Sequence, residues 1–131
     1  MEERLVDKIR LDNGLTLEVF DRSRPVAGDR WLVHFVARIE VAVKAEYFDG
    51  REGSDVSFEA VRRAVGDRAA YSREKRSNFI DEKERDAVFK KLQGDFLDTS
   101  LTYLSSQGFP RSLIMKQYRE AQGASVRWKP Q

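Results

Sequence analysis

The stretch Trp31-Leu32-Val33-His34-Phe35-Val36-Ala37-Arg38-Ile39-Glu40-Val41-Ala42-Val43 decides how this chain folds. Trp31, Val33, Phe35, Ala37, Ile39, Val41 and Val43 recur at every second position, the period at which a β-strand returns side chains to one face. The other face reads Leu32, His34, Val36, Arg38, Glu40 and Ala42, so its first half suits cover on both sides and its middle suits water. The run exceeds the usual strand of about five or six residues, and a bulge or strong bend is expected within it.

Upstream, residues 4–11 lead through Asp12-Asn13-Gly14 into Leu15-Thr16-Leu17-Glu18-Val19-Phe20, where Leu15, Leu17 and Val19 alternate with the other side chains. This reads as a β-hairpin, because Asn-Gly accepts the positive φ angles that tight hairpin turns need. The segment 21–29, with Pro25 and Gly28, reads as a polar connection.

Downstream, a turn-rich stretch at 49–55 precedes a short helix with Ser57 as N-cap, Val56 and Val61 as a hydrophobic staple, and Phe58, Val61 and Val65 as its apolar stripe. Gly66 is placed to end it. Residues 68–76 alternate Ala69, Tyr71, Arg73 and Lys75 with Ala70, Ser72, Glu74 and Arg76, the pattern of an exposed, charge-protected edge strand. Asp81, with Glu84 three residues on, opens the clearest helix, Glu82 to about Ser105. Its stripe is Val88, Phe89, Leu92, Phe96, Leu97, Leu101 and Leu104, which must pack on something, most simply the sheet. Gly94 stands inside it at a cost of about 1 kcal/mol relative to alanine. Gly108-Phe109-Pro110 restarts the chain as a last helix to about Ala121, with Leu113, Ile114 and Tyr118 facing inward and Gly123 ending it.

The fold expected is therefore α+β: an antiparallel sheet of three or four strands, packed on one face by a long helix and a second C-terminal helix. Residues 1–123 are expected to form a single domain, and 124–131 a tail whose order the pattern does not decide. The length of 131 residues is near the commonest domain size.

Forty per cent hydrophobic residues exclude a disordered chain, and 35% charged residues at net charge +2 describe an ordinary soluble surface. No run approaches the roughly 18 apolar residues of a membrane span, and Met1-Glu2-Glu3-Arg4 is not followed by a signal peptide's apolar region, so a cytoplasmic address is expected. With no cysteine and one histidine, disulfides and the usual zinc ligand sets within one chain are excluded. Charge is uneven: residues 1–61 carry 9 basic and 13 acidic side chains, and 62–131 carry 15 and 9.

Chemical motifs are sparse. Neither Gly-x-Gly-x-x-Gly nor a Walker A sequence occurs, so no nucleotide cofactor is expected, and no metal site either. Asp81, Glu82, Glu84 and Asp86 read as first-turn helix residues interleaved with Lys83 and Arg85. His34 is the one side chain whose unperturbed pKa is near neutrality, and between Val33 and Phe35 it reads as a structural histidine before a catalytic one. No Gly-x-Ser-x-Gly elbow accompanies it. Nothing marks the chain as an enzyme.

The candidate binding feature is the segment from Arg62 to Arg76. Arg62, Arg63, Arg68, Arg73, Lys75 and Arg76 there outnumber Asp67 and Glu74, and Tyr71 lies among them. Arginine forks beside an aromatic ring suit phosphate or nucleic-acid contacts, although charge also solubilises an edge strand. Arg111 on the last helix and Trp128 between Arg127 and Lys129 are secondary candidates. The expectation is a non-enzymatic binding or regulatory module acting through protein contacts, with self-association through the long strand as the simplest dimer. The alternative is binding of nucleic acid or a phosphorylated ligand by the basic segment, and behind both stands a small enzyme using His34.

Overall fold

The computed structural model describes residues 3–48 and 57–127. The turn-rich stretch at 49–55, the staple residue Val56 and the tail residues Trp128 and Lys129 lie outside them. The elements are β1 (Arg4–Arg10), β2 (Thr16–Asp21), β3 (Arg24–Ala27), β4 (Arg30–Ala42), α1 (Phe58–Val65), β5 (Arg68–Asp81), α2 (Arg85–Ser105) and α3 (Phe109–Arg127). The fold is α+β, with one antiparallel sheet of five strands. Among the described residues no helix is long and apolar enough to cross a membrane. The chain groups into two compact units, Met1–Ile39 with Tyr71–Ser106, and Glu40–Ala70 with Gln107–Gln131.

In the first unit the expected hairpin joins β1 to β2, with Arg10 opposite Thr16. Its turn differs from a two-residue Asn-Gly turn. Gly14 donates to the Leu11 carbonyl at 2.9 Å, Leu11 donates to the Leu15 carbonyl at 2.8 Å, and of the two residues only Gly14 has positive φ (87°). This is a three-residue loop closed by a left-handed glycine. The side chain of Asn13 instead reaches across to α2, where its Nδ2 donates to the carbonyls of Leu104 (2.8 Å) and Ser106 (2.9 Å), satisfying acceptors that the helix end leaves open.

The polar connection contains a strand that the sequence reading missed. β3 pairs with β4, and Gly28 (φ 55°) turns the chain between them. Asp21 faces Phe35 and, three residues on, Arg24 faces Leu32, so β2 and β3 run along the same side of β4 in continuous register. The fifth strand is thus a continuation and does not widen the sheet. Val6 in β1, against β2, and Val26 in β3, against β4, are extra residues that shift the register.

β4 lies between β2 and β3 on one side and β5 on the other. Its odd-numbered face carries Val33, Phe35, Ala37 and Ile39, all buried. α2 covers it: the Phe35 ring stands 5.9 Å from Phe89 and 5.3 Å from Phe96. Burial of a phenylalanine contributes about 1.5–3 kcal/mol, so this trio anchors the helix. Asp81 opens the helix as expected, its Oδ1 accepting from Lys83 N at 2.9 Å, but the first turn, Glu82–Glu84, is a 3-10 turn. Gly94 leaves α2 unbroken, and Leu101, expected inside, is 36% exposed.

In the second unit, Ser57 Oγ caps α1 by accepting from Ala60 N at 3.1 Å, and Gly66 (φ 95°) ends it. Val41, Val43, Val61, Ala69, Phe109, Leu113, Ile114 and Met115 are buried here, and α1 packs against α3. α3 runs to Arg127, past the stop expected at Gly123. Gln117 Nε2 of α3 donates to the Ala70 carbonyl of β5 at 2.6 Å.

Candidate functional site

The candidate site lies in the first unit, where β5 meets the even-numbered face of β4. Alternation along β5 divides the basic segment. Glu74 and Arg76 share one face, because Arg76 Nη2 lies 3.4 Å from Glu74 Oε1, while Tyr71, Arg73 and Lys75 occupy positions of the other parity. Tyr71 is half-buried, and burial raises its hydroxyl pKa. Arg62, Arg63 and Arg68 belong to the second unit, where Arg62 pairs with Asp67 at 2.8 Å and Arg68 with Glu40 at 2.6 Å. Arg111, also there, stands 5.6 Å from the Phe48 ring centroid, and its Nε is buried with no hydrogen-bond partner among the described residues. Trp128 lies outside the described residues.

His34 is 4% exposed and fixed on three sides. Its N–H donates to Ser23 Oγ at 2.9 Å, its carbonyl accepts from Arg22 N at 2.9 Å, and its Nε2 lies 2.5 Å from Glu74 Oε1. Arg76 Nε also approaches Nε2, at 3.4 Å. One nitrogen cannot donate to Glu74 and accept from Arg76 at once; a proton on Nε2 facing the ionised carboxylate satisfies both residues, since Arg76 reaches Glu74 as well. The His34 hydrogen bond holds the Glu74 carboxyl below its ordinary range.

A chain of charges extends from this pair. Arg22 lies 3.8 Å from Glu74 and 3.5 Å from Glu3, and Glu3 takes both terminal nitrogens of Arg38 at 2.6 and 2.8 Å. That fork raises the Arg38 pKa further, and the guanidinium lies over the Phe20 ring at 4.8 Å. Three arginines and His34 thus share two glutamates.

Beside the network is a cavity of about 400 Å³ lined by Arg24, Val26, Leu32, Arg76, Asn78 and Phe79. Phe79 is 64% exposed and holds φ 61°, a conformation that costs a non-glycine residue about 1–2 kcal/mol. Arg24 has no acidic partner among the described residues.

No family model, curated protein or solved structure matches this chain. What the site can do therefore rests on its geometry.

The outer edge of β5 completes that geometry. The Ala70 carbonyl accepts from Gln117, while the Asp67 carbonyl, of the opposite parity, accepts from Val43 N just past the end of β4, so residue 70 turns its backbone outward. Alternation then turns the N–H and C=O groups of Ser72, Glu74 and Arg76 outward too. Their fellow in β4, His34, likewise turns its backbone away from β5, toward Arg22 and Ser23. β5 pairs only with β4, which leaves this edge without a strand among the described residues. β4 is paired with β2 and β3 only from Arg30 to Arg38 on one side and with β5 on the other. Sequence reasoning missed Arg24, Val26 and Phe79; the Gly28-Asp29 turn was the signal for the first two.

Proposed function

We propose that this chain is a non-enzymatic binding module that works through protein contacts, receiving an extended segment of a partner along β5. The observation that carries the reading is the row of outward backbone groups at Ser72, Glu74 and Arg76. Such a row gives affinity through main-chain hydrogen bonds, and neighbouring side chains give selectivity. Glu74 and Arg76, side by side on one face, favour a segment that sets an opposed pair of charges against them. Ser72→Pro tests this, because proline removes an outward N–H and leaves the β4 ladder intact. Peptides selected from a displayed random library are expected to slow hydrogen exchange at Ser72, Glu74 and Arg76, and to lose binding to Ser72→Pro at an unchanged melting temperature. Peptides that bind the variant equally well, or no enrichment at all, would overturn the reading.

A second reading, binding of nucleic acid or a phosphorylated ligand, draws on the cavity between Arg24, Arg76 and Phe79. Two guanidinium groups beside an exposed ring suit a phosphate next to a stacked base. Of the basic segment only Arg76 lines this cavity. A gel shift against mixed RNA and DNA is expected to weaken with salt and to fall at least several-fold in Phe79→Ala. Absence of any shift at low salt rejects it.

A further inference from the structure

We propose that the partner on the β5 edge is a second copy of this chain, paired antiparallel so that Lys75 meets its own counterpart. The proposal rests on the reading of β5 as an open docking edge and adds the occupant and the register.

Charge chooses the register. Two copies of one strand, paired about a two-fold axis, place some residue opposite itself. Centring on Lys75 sets Glu74 opposite the second copy's Arg76, and Arg76 opposite its Glu74. Glu74 and Arg76 already lie together on one face, 3.4 Å apart, so the two copies form a square of four alternating charges. Moving the axis by one residue, a slide of two, sets Glu74 against Glu74 with Arg73 against Lys75, or Arg76 against Arg76. Like charges directly opposite are destabilising. Both residues of the favoured pair also carry outward backbone, so they fall at hydrogen-bonded positions of the new ladder. The opposite end of the strand offers no such route, since Gln117 occupies the edge at Ala70. The unfavourable contacts lie on the other face, where Lys75 meets itself and stands diagonal to the second copy's Arg73; Lys75 has no acidic partner among the described residues.

Lys75 lies at a non-hydrogen-bonded position, where facing Cα atoms stand about 4.5 Å apart. That separation falls in the range of about 4.4–6.8 Å that a disulfide spans. The chain has no cysteine, so a single introduced thiol reports one contact. Lys75→Cys in the full chain is expected to form a covalent dimer under mild oxidation, while Arg73→Cys and Ser77→Cys, which face each other and not themselves, stay monomeric alone and link when mixed. Arg76→Glu is expected to weaken association by about ten-fold in sedimentation, because it turns two attractive cross-strand pairs repulsive. Adding Glu74→Arg to it is expected to restore association. A Lys75→Cys chain that stays monomeric, or links no better than Arg73→Cys, overturns the proposal. If that failure comes with selected peptides that still need the Ser72 amide, the docking edge stands and only the second copy falls; if the peptides fail too, both fall.

Discussion

Replacing Phe35 by alanine is expected to lower the stability of the chain by about 3–5 kcal/mol. Phe35 is fully buried, and its ring meets Phe89 and Phe96 of α2 at 5.9 and 5.3 Å. Truncation removes the transfer free energy of the ring and leaves a cavity between strand and helix that two other rings cannot both close. Native domains are stable by about 5–15 kcal/mol, so the loss takes a large share. The melting temperature is expected to fall by roughly 10–20 °C in calorimetry. Phe79→Ala supplies the contrast: the same ring is deleted at a site 64% exposed, and the change is expected to stay within about 0.5 kcal/mol. A Phe35→Ala chain that loses less than about 1 kcal/mol would mean that α2 does not pack on β4 through this residue.

That packing was legible in the sequence, and the reason is physical. Period-two alternation from Trp31 to Val43 and helical spacing from Val88 to Leu104 each follow from one buried face, which local pattern records directly. Ser57, Gly66 and Asp81 were legible for the same reason, because caps depend on a few adjacent residues. β3 was not, since Arg24-Pro25-Val26-Ala27 has all four residues exposed and so lacks alternation; its pairing depends on β4 and on the turn at Gly28. The end of α3 was misplaced because about 1 kcal/mol for a glycine inside a helix does not outweigh continued helical hydrogen bonding. For the candidate site, the parity that separates Glu74 and Arg76 from Arg73 and Lys75 lay in the sequence. The partner of Glu74 did not: His34 stands forty positions away, and only the β4–β5 pairing brings the two together.

His34→Ala is expected to cost about 2–4 kcal/mol, and the sign of that change separates a structural histidine from a catalytic one. A side chain selected for chemistry often sits at some expense of stability, so its removal tends to leave the fold unchanged or firmer. His34 is instead buried among Ser23, Arg22 and Glu74, and deleting it opens a void and unmakes the bond to Glu74. The same pair sets an acid limb to stability. Glu74 titrates below the ordinary 4.5 in the folded chain, chiefly because His34 hydrogen-bonds its carboxylate. A carboxyl lowered on folding contributes stability that is fully present above its unfolded value and is lost as pH falls through its folded value. Unfolding followed between neutral pH and pH values below 4.5 is therefore expected to show a decline that is shallower in Glu74→Gln, whose amide does not titrate. Because Glu74 is 40% exposed, solvent screens the pair and the difference is expected to be small beside the loss in His34→Ala. A His34→Ala chain as stable as the parent, with an unaltered acid limb, would remove the structural role and leave this histidine among the groups free to act on a ligand.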